Sequence, residues 1–138
     1  MASTLKINTL TGVSTAGSIA VTGEGNSTTT NLQQGLCKAW VNIQGGGTPA
    51  SQDSFNVSSL TDNATGEVLT NFSNAFSNNN FAESISAQIT GTSGTGLYYT
   101  QCVATVDRTT ALSRLNHYEN GSSTDPNCLQ STMHGDLA

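Results

Sequence analysis

The chain has two histidines, and each sits two residues before an acid: "HYE" at residues 117–119 and "HGD" at residues 134–136. On a strand, a spacing of two puts both side chains on one face, which suits two protein ligands to a metal ion. Both runs lie in the polar final third of the chain, where ordinary surface histidine is the simpler reading of His117 and His134. Tyr98, Tyr99 and Tyr118 can supply flat apolar faces for stacking on a sugar, although core or subunit contact is the commoner use of such residues. The loop "ENGSSTDPN", with Glu119, Asn120, Ser122, Asp125 and Asn127, is the expected receptor site, because recognition concentrates on loops at the ends of a β scaffold.

Reactive constellations are not signalled. The sequence has no GxSxG and no HExxH run. Asp53, Asp62, Glu67 and Glu83 are scattered, and a glycosidase pair cannot be recognised from spacing alone. The glycine runs at residues 23–25 and 45–47 lack the strand–GxxxxGK–helix setting of a phosphate loop and read as turns. The odd set Cys37, Cys102 and Cys128 contains no CxxC. Packed thiols are therefore expected, with a Cys102–Cys128 bridge open to a chain that ends up outside a cell. The expectation is a protein that recognises rather than reacts, with no cofactor and no metal.

Composition narrows the class. Hydrophobic residues make up 35% of 138 residues and charged ones 9%, while Ser, Thr and Asn together supply about 38%. With 14 glycines, this is a turn-rich, polar and uncharged make-up that favours β structure in one domain. A net charge of −5, with Lys6, Lys38, Arg108 and Arg114 dispersed, argues against nucleic-acid binding. No apolar run approaches the length of a membrane helix, and "MASTLKINTL" lacks the layout of a secretory signal. A soluble chain, neither inserted in a membrane nor exported by Sec, is expected.

The elements that must carry these residues fall into three stretches. Residues 1–30 read as an arm with two short strands, Leu5, Ile7 and Leu10 in the first and Ile19 and Val21 in the second. An arm with so little apolar area must lie on something else, and these five residues are its expected attachment contacts. Residues 31–44 read as a short helix. Asn31 is its N-cap with Gln34 three positions on, and Leu32, Leu36, Ala39, Trp40 and Ile43 form one apolar stripe. The stripe is expected to meet its copies at a threefold axis, the other possibility being that it caps the chain's own core. From residue 45 onward the period changes to two: "SFNV", "VLTNF", "FAESISAQIT", "LYYTQCVATV", "ALSRLNHY" and "NCLQSTMH" are strand segments separated by turns. They predict an antiparallel β-sandwich or jelly-roll-like head, with Glu83 a polar interruption on its inner face.

The run over residues 38–76 resembles a module of structural and tail-fibre proteins of tailed bacteriophages, especially those of marine and cyanobacterial hosts. The pieces that carry the resemblance are "KAWVN" at 38–42, "GGGT" at 45–48, "DSFNVSSLTDN" at 53–63, Gly66, and Asn71 with Phe72. "GSIAVTGEGNSTTTNLQQGL" at 17–36 is similar to the segment that precedes the module. The chain departs from the pattern at Cys37, where alanine is usual, and in a shorter strand after Gly66; residues 77–138 match nothing in it. The resemblance implies a homotrimeric virion component assembled in the bacterial cytoplasm, and it brings no catalytic residues. Its expected partners are its own copies, other virion proteins of tail or capsid, and host surface polysaccharide. Two placements follow. One is a short tail fibre with an outward-facing head, the other a capsid cement or decoration protein at threefold positions.

Overall fold

The computed structural model describes residues 4–12, 19–23, 28–88, 98–102 and 108–138, with the side chains of Tyr98 and Cys102 outside the description. The chain divides into two compact units, Met1–Leu36 and Cys37–Ala138.

In the first unit, β1 (Ala20–Thr22) pairs antiparallel with β2 (Thr29–Asn31). The Gly23 amide donates to the Thr28 carbonyl at 2.9 Å and the Leu32 amide to Ile19 O at 2.9 Å. A single helical turn, α1 (Leu32–Gly35), follows. Its cap is the predicted one: Asn31 Oδ1 accepts from the Gln34 amide at 3.1 Å. The rest of the predicted helix is not formed, because Leu36 is already extended, with ψ 141°, and the chain continues into a strand. Residues 4–12 form no strand either. Among the described residues no strand pairs with this segment, and Leu5, Ile7 and Leu10 remain 79%, 50% and 55% exposed.

The second unit is an antiparallel β-sandwich. One sheet runs in the order β4 (Ala50–Phe55), β3 (Ala39–Gln44), β11 (Cys128–His134), β7 (Ala82–Gln88). The other runs β5 (Val57–Ala64), β6 (Glu67–Phe72), β9 (Leu112–Glu119), with β8 (Tyr98–Cys102) also on β9. The two-residue strand β10 (Ser122–Ser123) returns along β9 through a tight turn, in which Asn120 and Gly121 have φ of 50° and 82°. The "LYYTQCVATV" segment is thus a strand over Tyr98–Cys102, and residues 103–106 lie outside the described ones; so does Ile89, expected at the end of β7.

Period-two alternation explains the core. Val41 and Ile43 of β3, Val68 of β6, Leu115 of β9 and Leu129 of β11 form one buried cluster between the sheets. Ala39, Phe72, Phe76, Phe81 and Met133 form a second. In the second cluster Phe76 and Phe81 stack at 4.3 Å, and both meet Phe72 edge-on.

This packing corrects the helix reading of residues 31–44. Ala39 and Ile43 are four apart, which places them on one face of a helix and equally on one face of a strand. Val41 decides between the two. Off the stripe of a helix, it is 2% exposed here, inside the same core as Ile43. The β-branched pair Val41 and Ile43, with Trp40, suits a pleated surface. The sandwich therefore starts before residue 45, and Trp40 turns to its outer face.

Two close approaches pin the loops at one end. A Cβ on Gly45 would lie 1.8 Å from the Pro126 carbonyl oxygen, and Gly66, at φ 73°, has His117 O at 2.7 Å from the same position.

Candidate functional site

The residues singled out from sequence scatter on folding. His117 points into the sandwich, only 1% exposed, with neither ring nitrogen bonded among the described residues. Burial lowers its pKa below the usual histidine value, and the Glu119 charge acts weakly the other way. His134 is exposed on β11. Among the described residues no group of three or more His, Cys, Asp or Glu is arranged to hold a metal ion.

The stripe residues part company: Ala39 and Ile43 are core, Trp40 is half-buried on an outer face, and Leu32 and Leu36 belong to the first unit, Leu36 being 51% exposed. That unit also leaves Val21 51% exposed on β1, with Ile19 half-buried beside it. Cys37 and Cys128 are free thiols, donating to Ala39 O at 3.0 Å and to Asn42 Oδ1 at 3.1 Å. The Cys102 end of the possible bridge lies outside the described side chains.

The 119–127 loop is partly structural. Asp125 Oδ1 accepts the Gly66 amide at 2.6 Å, and Asn127 O accepts the Gly45 amide at 3.0 Å. Pro126 is buried between them in sequence, whereas Asn120 and Ser122 are exposed at the hairpin tip. Asp125 and Asn127 thus fasten the loop to the sandwich.

Among the described side chains of the second unit, exposed aromatic rings stand on two outer faces, Phe55 on one and Tyr99 on the other. On the β3–β4 side Trp40 stands opposite Phe55, which is 52% exposed, and opposite Thr132 on β11. A depression of about 250 Å³ lies there, lined by Trp40, Asn42, Gln130 and Thr132 among others.

The second face belongs to β6, β9 and β8. Along β9, Ser113, Leu115 and His117 point inward, so Arg114, Asn116 and Tyr118 point outward. Tyr99 of β8 is the cross-strand partner of Tyr118, and the rings stack at 5.0 Å with 15° between their planes. Tyr99 is 45% exposed. Asn116 Nδ2 donates to Tyr118 OH at 3.3 Å and to Glu67 Oε1 at 3.2 Å. Glu67 Oε2 accepts from Asn63 at 2.8 Å and pairs with Arg114 at 3.4 Å. Asn116 is only 3% exposed, and its Oδ1 accepts no bond from the described residues. The sequence signal for this array was present in "LSRLNHYE", whose outward set is read by taking every second residue, but alternation alone did not say that Tyr99 would land on Tyr118.

Inside the sandwich, Glu83 of β7 accepts from Ser113 Oγ of the facing sheet and from Ser131 Oγ, both at 2.6 Å. The polar interruption expected at this position is thus a bridge between the sheets. Burial raises its pKa, against the two hydroxyl bonds and the Arg108 charge.

No protein-family model, curated protein or solved structure matches the chain.

Proposed function

We propose that the chain is a non-enzymatic structural protein of a bacteriophage virion, a short homotrimeric tail fibre or fibre-like appendage. In this reading it docks through its N-terminal unit and exposes the β-sandwich for recognition of host surface polysaccharide. The observation that carries it is the contrast in apolar exposure. Leu5, Ile7, Leu10, Val21 and Leu36, all in the first unit, are each half-exposed or more. A segment with that much apolar surface, and with no buried hydrophobic residue among those described, is suited to burial against other subunits or copies. The resemblance of residues 38–76 to tail-fibre modules supplies the virion setting.

The second reading, a capsid cement protein, is favoured by the strandless stretch 4–12, which when extended reaches about 30 Å, enough to lie along a neighbouring subunit. Both readings require the arm. Virions assembled with a chain lacking residues 1–30 are expected to exclude it while the shortened protein keeps its β-type circular dichroism. Incorporation at the intact level would remove the arm's role, and locating the intact chain on tail or shell by cryo-electron microscopy separates fibre from cement.

A further inference from the structure

We infer that the outer face of β6, β9 and β8 is a binding site for a neutral pyranoside, with Tyr99 as the stacking platform and Asn116 as the hydroxyl acceptor. The inference rests on the recognition reading above and moves its site from the 119–127 loop to the sheet.

The platform is preorganised. An exposed tyrosine that must be ordered by its ligand loses side-chain freedom on binding. Tyr99 is already held from behind by Tyr118, parallel at 5.0 Å. The face of a pyranose that carries axial C–H groups is apolar and flat, so it matches an aromatic ring in area and polarity.

Polar orientation comes from Asn116. Its amide nitrogen donates to Tyr118 OH and Glu67 Oε1, while its buried Oδ1 accepts nothing from the described residues. A buried acceptor without a donor is uncommon and costly, and a sugar hydroxyl is a donor of the right kind. Gln101, exposed on β8, is the cross-strand partner of Asn116, and the proposal requires it to give way for a ligand to reach that oxygen.

Charge selects a neutral sugar. Arg114 lies against Glu67, whose two oxygens together face Asn116, Asn63 and Arg114, so this cation is compensated. With a net charge of −5 the chain repels acidic polysaccharide. The Trp40 and Phe55 face lacks the matching feature, since the Asn42 acceptor there is taken by the Cys128 thiol.

The test is amide NMR of the full chain titrated with methyl glycosides of galactose, glucose and mannose, and with methyl glucuronide as the acidic probe. At least one neutral glycoside should shift the amides of Tyr99, Gln101, Asn116 and Tyr118, and the glucuronide should not. Tyr99→Ala should weaken binding at least about tenfold, with core amides such as Leu115 and Leu129 unmoved. Ser122→Ala in the hairpin tip should bind as the parent does. Shifts confined to residues 119–127, unchanged affinity in Tyr99→Ala, stronger binding of the glucuronide, or no response to any neutral glycoside would each overturn the site. None of these outcomes bears on incorporation of the chain into particles, so the sugar site and the virion reading fail separately.

Discussion

The first unit and the second handle their apolar side chains in opposite ways. Among the described residues of Cys37–Ala138 ten hydrophobic ones are buried, and both sheets contribute to the two clusters that hold them. In Met1–Leu36 no described hydrophobic residue is buried, and the elements among the described residues are a three-residue strand pair and one helical turn. Antiparallel backbone hydrogen bonds are present in both units, and the first adds a helix cap at Asn31, so local bonding does not explain the difference. Private apolar burial does, and for a chain this short on charge it is the main term that offsets the entropy of ordering.

That contrast predicts where substitutions are felt. Leu129→Ala removes a side chain that is 1% exposed in the middle of the sandwich, and should cost about 2–5 kcal/mol in denaturant unfolding. Leu10→Ala, at a position 55% exposed, should change the same measurement by less than about 0.5 kcal/mol. Comparable costs at the two positions would erase the distinction between the units.

Glycines sharpen it at the level of backbone packing. Gly45→Ala would bring a methyl to 1.8 Å from the Pro126 carbonyl oxygen, so the 119–127 loop must shift. A loss of about 1–3 kcal/mol is expected, with amide shifts concentrated at residues 125–128. At Gly23 the nearest atom to an added Cβ is Thr28 O at 3.7 Å, ordinary contact, and Gly23→Ala should leave the melting temperature close to that of the parent.

The smallest effects concern pH, and both arise in the sandwich. Glu83 has a folded pKa above its usual 4.5, so its contribution to stability is full below that value and is lost as pH rises through the folded pKa. His117 has a folded pKa below 6.5. Its contribution is full above 6.5 and is lost as pH falls through the folded value. Thermal melts across this range should show Glu83→Gln flattening the loss on the rising side and His117→Leu flattening the loss on the falling side. A parent slope retained in both variants would mean that other groups set the pH dependence.

The sandwich was legible in the sequence because alternation is a local signal. Val68 and Phe72 on one face, and Ile85 and Ala87 opposed to Ser84 and Ser86, need no knowledge of the partner strand. The 31–44 segment was misread because Ala39 and Ile43 satisfy both periods, and Val41, the residue that discriminates, was left out of the stripe. The predicted strand at Leu5 and Ile7 failed for a different reason: alternation describes a surface, and among the described residues no strand pairs with it. The Tyr99 and Tyr118 stack depends on the β8–β9 register, a long-range pairing that neither segment encodes alone. His117 looked like surface histidine because its neighbours Asn116, Tyr118 and Glu119 are polar, but its parity with Leu115 sends it inward.

Sedimentation of the intact chain beside one lacking residues 1–36 tests the account most directly. The intact chain is expected to sediment as a trimer that persists at micromolar concentration. The shortened chain should sediment as a folded monomer, because its sandwich carries its own core. An intact chain that is monomeric, or a shortened chain that remains trimeric, would contradict the assignment of assembly to the first unit.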